Sequence, residues 1–286
     1  MRTRFAPYLL LAPAALLAIA SPARSDTLIN TGNPDGLIAT ASQPAGSGQL
    51  EIETADDFVL TNQTDIFSGT FTGLLTNGTT SSDVGQVVLE FYRVFPLDST
   101  VPPSGNVLTR ANSPSDVALT SLDSATAGLT FTLSTLSSNF TAANSVINGI
   151  NPFPNETTGG EGPVTGQEVQ FSFSFSTPLD LQAGHYFFVP QVQVTGGNFL
   201  WLSAPGATFP QNTTDLQSWI RNENLAPDWL RIGTDVVGQT RYNAAFSLNG
   251  NAVPEPATWA MMIAGFGAVG LASRRRRRRE RLVVRQ

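Results

Sequence analysis

Polar and apolar residues alternate along several stretches of this chain. In the clearest stretch, Glu168–Ser176, Val169 and three phenylalanines occupy every second position, with Gln170 and three serines between them. Because successive side chains of a β-strand project from opposite faces, this pattern predicts a strand with one buried and one solvated face. Similar patterns predict further strands at Gln86–Phe95, Leu129–Leu136, His185–Val194, Arg241–Leu248, Glu51–Leu60, Ile66–Leu75 and Asn198–Ser203.

Turn-forming residues separate these predicted strands, for example the Asn-Gly pair within Thr76–Thr79 and the pair Gly196–Gly197. About eight to ten strands with turns between them are typical of a β-sandwich or jelly roll. We therefore predict an all-β body over residues 26–251. Pro190 has no N–H to donate, which predicts that its strand lies at a sheet edge or contains a bulge.

One or two short helices are also expected within this body. The first covers Asn139–Asn148. The second begins near Thr213 or Thr214 and runs towards Ile220, because a hydroxyl can cap a helix and Asp215 would lie in its first turn.

The N-terminus carries a short apolar stretch behind two arginines. Residues 5–20 are apolar and uncharged apart from one tyrosine hydroxyl, and small residues, Ala23 and Ser25, follow them. This order is typical of a secretory signal peptide, so we predict a signal over residues 1–25 with cleavage before Asp26. An uncleaved N-terminal anchor is the alternative, which the two prolines in the stretch disfavour.

The C-terminus carries a second apolar stretch. Eighteen uncharged residues run from Pro256 to Ser273, and six arginines, Arg274, Arg275, Arg276, Arg277, Arg278 and Arg279, follow at once. As a helix this stretch would be ~27 Å long, close to the thickness of a hydrocarbon layer. The arginines would stop transfer and stay in the cytoplasm. We predict a linker over residues 252–256, a single transmembrane helix over 257–273 and an Arg-rich cytoplasmic tail over 274–286.

The composition of the chain excludes several kinds of site and makes nucleic-acid binding unfavourable. The chain has 286 residues, of which 41% are hydrophobic, enough for a sizeable core. It has no cysteine, which excludes disulfides, Cys-ligated metals and Cys nucleophiles, and its single histidine, His185, excludes multi-His metal sites. We expect no metal and no other cofactor. Between Asp26 and Val253, 20 acids stand against five arginines, a net charge of −15, so this body would repel nucleic acid.

A short motif precedes the C-terminal apolar stretch. It is Pro254-Glu255-Pro256, with Trp259 three residues later and the run Met261–Gly267 before the arginines. Together these parts resemble the PEP-CTERM sorting signal of Gram-negative bacteria. The resemblance implies export through the secretion machinery and a transient anchor in the inner membrane. It further implies recognition of Glu255 by a membrane exosortase, cleavage near the motif, and delivery to the cell surface, the medium or an extracellular polysaccharide matrix.

Two segments of the body, Ala55–Leu60 and Asp215–Asn222, resemble uncharacterised domains found upstream of such tails. This resemblance implies no activity and no site.

Carboxylates are the residues that could support catalysis. Asp56 with Asp57, and Glu51 with Glu53, are candidate pairs for glycan hydrolysis, in which two carboxyl groups flank the substrate. Solvated surface charge is the favoured interpretation of both pairs. His185 opens a predicted strand, and the chain has no Gly-x-Ser-x-Gly sequence, so a hydrolase triad has no support. We expect a protein that is not an enzyme.

Two features of the sequence could indicate ligand binding, and each has a plainer structural interpretation. Trp201, Trp219 and Trp229 could stack on sugar rings, and core packing is the competing and favoured interpretation. The segment Thr31–Gly36 has part of the spacing of a calcium loop but lacks an acid at the first position, so a Pro-Asp-Gly turn is expected there.

The sequence as a whole predicts an exported cell-surface or extracellular-matrix protein with a structural or adhesive role. Its expected partners are the secretion machinery, a membrane exosortase, the membrane itself and extracellular polysaccharide. A secreted carbohydrate-binding module is the alternative, and a glycan hydrolase is a third, less favoured possibility.

Overall fold

The computed structural model describes residues 26–46, 48–97, 105–150, 156–206, 215–239, 242–253 and 262–274. Fifteen strands are formed by these residues. They are β1 (Asp26–Asn30), β2 (Ile38–Ala41), β3 (Ile52–Leu60), β4 (Thr64–Leu75), β5 (Val84–Arg93), β6 (Thr120–Asp123), β7 (Leu129–Ala142), β8 (Asn144–Val146), β9 (Val164–Leu181), β10 (Gly184–Val194), β11 (Phe199–Ala204), β12 (Trp219–Asn222), β13 (Leu230–Arg231), β14 (Asn243–Ala244) and β15 (Phe246–Ala252).

The strands form two sheets. The nine-stranded sheet is built on β4, which pairs with β15 and then β11 along one edge and with β9 along the other. β1 extends this sheet from β15, β2 and β14 from β11, β8 from β2, and β7 from β9. The six-stranded sheet has the order β13-β12-β3-β10-β5-β6. Of the pairings between described strands, that of β2 with β8 is parallel and the others are antiparallel.

Phenylalanine rings fill the space between the two sheets. The ring of Phe71 in β4 stacks on Phe171 in β9 at a centroid distance of 4.7 Å and meets Phe188 of β10, in the other sheet, at 6.4 Å. Phe91 of β5 meets Phe175 of β9 edge-on at 6.2 Å. Aromatic pairs at these distances add to the free energy gained by burying apolar surface. The body is therefore a β-sandwich, as predicted.

Two glycines of β4 make room for these rings. A Cβ on Gly73 would lie 2.2 Å from a ring carbon of Phe199, and a Cβ on Gly69 would lie 2.6 Å from a ring carbon of Phe173. Both glycines lie on the same face as Phe71, because they are two residues before and after it on one strand. The neighbouring rings thus pack directly over bare backbone.

The predicted strands are confirmed in the described residues, but some are longer than predicted. β7 extends six residues beyond Leu136, and β9 begins four residues before Glu168 and ends five residues after Ser176. The predicted strand Arg241–Leu248 is divided between β14 and β15. In β9, Phe171 and Phe173 are buried while Ser172 and Ser174 are exposed, as the alternation indicates. Arg241, the first residue of one predicted strand, lies outside the described residues.

Pro190 does not lie in an edge strand, but its strand shifts register between Val192 and Val194, which agrees with the predicted bulge. Its strand, β10, is an interior strand that pairs with both β3 and β5, but its pairing with β3 ends at Phe188. Beyond that point the Ser42 hydroxyl donates to the Pro190 carbonyl at 2.6 Å, and the Val192 N–H donates to the Ser42 carbonyl at 3.0 Å. The missing N–H of Pro190 is therefore on the side of β3, where strand pairing has already ended.

The prediction of two helices in the body is wrong for the described residues, which form strands. Residues 139–142 and 144–146 belong to β7 and β8, and Ile220 pairs with Thr54 of β3. Thr213 and Thr214 lie outside the described residues. Pairing with a neighbouring strand outweighs the local helix signals at these positions. The helical turns in the described body are a 3₁₀ turn at Ser81–Asp83 and a π-helical turn at Ile232–Val237.

The described part of the C-terminal tail is a helix over residues 262–274 with exposed side chains. Among the described residues no helix is both long enough and apolar enough to cross a membrane. Residues 257–261 of the predicted transmembrane helix lie outside the described part, as does the whole of the predicted signal peptide.

Candidate functional site

Most residues predicted to take part in sorting lie outside the described structure. Asp26, predicted to follow the signal cleavage site, is the first residue of β1 and pairs with Gly250 of β15. Arg274 is the last residue of the described C-terminal helix. The predicted residues for which no structure is described are Ala23, Ser25, Pro254, Glu255, Pro256, Trp259 and the arginines 275–279.

The three tryptophans that were considered for sugar stacking are core residues. Trp201, Trp219 and Trp229 are at most 1% exposed. Each indole N–H donates to a backbone carbonyl, at distances of 2.9, 3.0 and 3.3 Å respectively. A sugar ring has no access to these faces, so the structure corrects the stacking interpretation in favour of core packing.

The structure brings together the two body segments that were singled out in the sequence. Strand β12, within Asp215–Asn222, pairs with β3, which contains Ala55–Leu60. The register places Trp219 opposite Ala55 and Arg221 opposite Glu53. Two buried polar clusters form around this pairing, one on each side of Ala55 along β3.

The first cluster is centred on Arg221, which is 7% exposed. Its guanidinium forms two hydrogen bonds with the carboxylate of Glu53 and a third, at 3.0 Å, with the hydroxyl of Tyr92. The remaining nitrogen donates to the carbonyls of Asp116 and Pro227 at 3.0 and 3.2 Å. All five N–H groups of the guanidinium are therefore used, as a buried charge requires.

Glu90 joins this cluster through the phenol of Tyr92, at 2.9 Å. The same phenol also contacts Glu53, but it has one proton for two carboxyl groups. Burial, followed by the nearby charge of Glu53, raises the pKa of Glu90 from 4.5 to about 7. A protonated Glu90 would supply the hydrogen that the phenol lacks. The cluster thus holds one strong ion pair and one carboxyl group that titrates near neutral pH.

Residues 110–118, here called the covering segment, lie with Asp228 and Trp229 over this cluster on the outer face of the six-stranded sheet. The ring of Trp229 lies 4.3 Å from the guanidinium carbon of Arg221. Arg110 forms ion pairs with Asp116 and Asp228, both of which are buried. Two of the body's five arginines, Arg110 and Arg221, thus pair with buried acids and hold this covering segment in place.

The second cluster contains the two aspartates of β3. Asp56 accepts hydrogen bonds from the Ser218 hydroxyl at 2.8 Å and from the Ala244 N–H at 2.9 Å. Asp57 accepts from Nε2 of His185 at 2.5 Å and from the Leu216 N–H at 3.2 Å. Burial raises the pKa of both carboxyl groups, and the neighbouring Asp57 raises that of Asp56 further.

The expectation that these acids are solvated surface charges is wrong for three of them. Glu53, Asp56 and Asp57 are 5%, 0% and 3% exposed. Asp56 and Asp57 are consecutive residues of a strand, so their side chains lie on opposite faces and do not form a pair that could flank one substrate. The carboxylate of Glu53 is held by Arg221, while Glu51, just before the start of β3, accepts a hydrogen bond from Gln191 at 3.1 Å.

Metal binding has no support among the described residues, where no group of three or more His, Asp or Glu is placed to hold an ion. Asp35, in the segment compared with a calcium loop, accepts hydrogen bonds from the Leu37 N–H and the Ser203 hydroxyl at 3.0 and 2.5 Å. It closes the turn between β1 and β2, which is the plainer of the two interpretations.

An open cleft of about 460 Å³ lies at one end of the sandwich, where the β2–β3 connection meets the ends of β8 and β12. None of the acids of the two candidate pairs lines it. Sequence reasoning missed this cleft, because its polar residues come from four separate parts of the chain. They are six carboxamides: Gln43, Gln49, Asn148, Asn198, Asn222 and Asn224.

Comparison with known proteins gives one match. The family model described as the PEP-CTERM protein-sorting motif matches residues 252–278, which include the linker, the apolar stretch and five of the arginines. No curated protein and no solved structure is significantly similar to the chain. The chain therefore carries a PEP-CTERM sorting tail, which indicates export and sorting by a membrane exosortase.

Proposed function

We propose that the folded body serves, after export and removal of the tail, as a structural or adhesive component of the cell surface or the extracellular matrix. In this proposal the signal peptide over residues 1–25 starts export. Residues 257–273 then anchor the chain in the inner membrane with the arginines in the cytoplasm, until the exosortase cleaves near Pro254–Pro256. The body itself catalyses no reaction.

The observation that carries this proposal is the match to the sorting motif at residues 252–278. The position of the body's last hydrogen bonds supports it. Strand β15 ends at Ala252, which pairs with Thr64, and the Val253 N–H donates to the Gln63 carbonyl at 2.7 Å. Pro254 has no N–H with which to continue the pairing. Cleavage after this point would release a body in which every strand pairing is retained.

The buried acids support a body without catalytic chemistry. Glu53, Asp56 and Asp57 are each tied to partners inside the protein, and these partners are structural ones such as Arg221 and backbone N–H groups. Acids used in this way stabilise the packing of a covering segment on a sheet, and they are withdrawn from solvent and from any substrate.

The sorting proposal is tested by changing the motif and following the chain in the cell. We expect the unaltered protein to reach the outer surface or the medium with its C-terminus cut near Pro254–Pro256. Glu255→Ala, or deletion of Arg274–Arg279, should retain the uncut tail and keep the protein in the inner-membrane fraction. Fractionation and mass spectrometry of the C-terminus provide the measurement.

Glu280→Ala is the matched control, because Glu280 is an acid of the same tail that lies outside the matched residues. It should be cut and delivered like the unaltered protein. Unchanged delivery of both altered proteins, or released protein that still has its last residues, would contradict the proposal.

A further inference from the structure

The carboxamide cleft has a lining that is polar but carries no charge. Its polar side chains are the six carboxamides, and its apolar side chains are those of Leu50, Ile52, Ile147 and Ile150. At about 460 Å³ it falls in the range of sites that hold small molecules, ~300–1,000 Å³. The body around it has a net charge of −15, so the absence of acids from this lining sets the cleft apart from the rest of the body.

Four of the amides are fixed at one end by the protein. Nε2 of Gln49 donates to the Gly197 carbonyl at 3.3 Å and to Oδ1 of Asn198 at 2.9 Å. Oδ1 of Asn222 accepts the N–H groups of residues 224 and 225, both at 3.1 Å. Nε2 of Gln43 donates to the Leu50 carbonyl at 3.2 Å. These bonds orient the amides before any ligand arrives.

The other ends of these amides are available. In the described structure no hydrogen bond is formed by Oε1 of Gln49, Nδ2 of Asn198 or Nδ2 of Asn222. Oε1 of Gln43 also has no partner, but it is fully buried, so a ligand would reach it only after a change in the Gln43 side chain. A buried acceptor without a donor is unfavourable, and a ligand that donates a hydrogen bond would remove this penalty.

The available groups define the chemistry of the ligand. An acceptor and two donors are presented together, which suits groups that both donate and accept, such as hydroxyls. The lining has no cationic side chain to attract an anion and no carboxylate to hold a calcium ion. The aliphatic side chains provide contact surface for C–H groups.

We infer that this cleft binds a segment of a neutral carbohydrate, with Oε1 of Gln49 and Nδ2 of Asn198 and Asn222 forming hydrogen bonds with sugar hydroxyls. The inference rests on the proposed adhesive role and names a ligand for it. Binding itself can be measured whether or not the protein is adhesive. A peptide is the less suitable ligand, because proteins recognise extended peptides by the backbone of a sheet edge, whereas here side chains from four separate parts of the chain converge.

The test is made on the full chain in detergent. Neutral oligosaccharides of glucan, mannan, galactan and xylan are arrayed beside uronic-acid oligosaccharides and extended peptides, and the best binder is then titrated by calorimetry. We expect binding to at least one neutral oligosaccharide in preference to the charged ones. Asn148→Ala with Asn224→Ala should weaken it by about tenfold or more, since two of the six carboxamides that line the cleft are removed.

Both asparagines are exposed, so this double variant should fold normally. The matched control is Asn139→Ala, an exposed carboxamide on β7 outside the cleft, which should change affinity by less than about twofold. Thermal unfolding checks that each variant is folded.

Three results would overturn the inference: no binding of any neutral oligosaccharide at millimolar concentration, a preference for uronic acids or peptides, or an unchanged affinity in the folded double variant. Because the assay uses purified protein, its outcome is independent of cleavage by the exosortase. If the sorting proposal fails, the inference about the cleft is unaffected. If the cleft binds no carbohydrate, the sorting proposal is unaffected.

Discussion

The two sheets of the sandwich share one aromatic core and differ on their outer faces. In the nine-stranded sheet, hydroxyl groups pair across the strands on the solvent side. Thr130 contacts Ser174 at 2.9 Å, and Thr70 contacts Ser247 at 2.8 Å. In the six-stranded sheet, the outer face is covered and holds the ion pair of Glu53 with Arg221, both of which are nearly inaccessible to solvent.

This difference shows that polar residues on a strand have two distinct uses. A row of hydroxyls can stay in water, because each group is neutral and satisfied by solvent or by its neighbour. A buried carboxylate must find a cation or several donors, since an unpaired charge in the interior is strongly unfavourable. The six-stranded sheet therefore depends on a few specific contacts. The hydroxyl rows on β4, β7, β9 and β15 depend on none, although Leu74, Leu200 and Leu202 on the same outer face are buried in a second apolar cluster.

The strongest test of this comparison is removal of Arg221. Arg221→Met leaves Glu53 buried without its cation and removes the contact with Trp229. We expect the free energy of unfolding to fall by about 3–5 kcal/mol, as is usual when one partner of a buried ion pair is lost. Chemical denaturation of the variant and the unaltered protein measures this difference.

A double variant separates the charge from the packing. Adding Glu53→Gln to Arg221→Met removes the unpaired carboxylate, so the double variant should be more stable than Arg221→Met alone. If the single variant loses less than about 1 kcal/mol, the cluster is not what holds the covering segment on this sheet.

The second test uses pH and concerns Glu90. Its pKa is raised in the folded protein from 4.5 to about 7, so the folded state binds the proton more tightly than the unfolded chain. The stabilisation is complete below pH 4.5 and is lost as the pH rises through about 7. The difference in pKa corresponds to about 3 kcal/mol at most.

Glu90→Gln is the control for this effect, because the amide stays neutral at every pH. The stability of the unaltered protein relative to this variant should decline between pH 4.5 and 7, measured by denaturation at a series of pH values. A relative stability that rises over this range would show that Glu90 is ionised and paired in the folded state. The buried cluster of the six-stranded sheet would then contain no carboxyl group that titrates near neutral pH.

The sequence predicts the buried side chains of the nine-stranded sheet better than the buried acids of the six-stranded one, and the reason is physical. The alternation in Glu168–Ser176 is local, and it correctly predicts which side chains of β9 are buried. The burial of Asp56 and Glu53 depends on Ser218 and Arg221, which lie far away in the sequence and are brought close only by the pairing of β3 with β12. The scarcity of arginine in an acidic body was the available signal, since each such residue is a candidate partner for a buried acid.

The sorting tail and the cleft represent the two extremes of what a sequence can predict. The tail acts through a short contiguous motif, so its residues could be recognised in order, and the family model confirms the match at 252–278. The cleft is assembled from Gln43, Asn148, Asn198 and Asn222, which no local pattern links. Trp201, Trp219 and Trp229 are buried, as the favoured core-packing interpretation of the sequence expects.

The smallest expected effect is on the outer face of the nine-stranded sheet. Ser174→Ala removes one exposed hydroxyl and its contact with Thr130, and we expect the free energy of unfolding to change by no more than about 0.5 kcal/mol. Phe173→Ala, one position away on the inner face, is the matched control and should lose about 3–5 kcal/mol. Denaturation curves of the two variants give the contrast between the faces directly. A loss above about 1.5 kcal/mol for Ser174→Ala would mean that the hydroxyl rows stabilise the sheet as a network. This outer face would then depend on specific contacts as much as the face of the six-stranded sheet that holds Glu53 and Arg221.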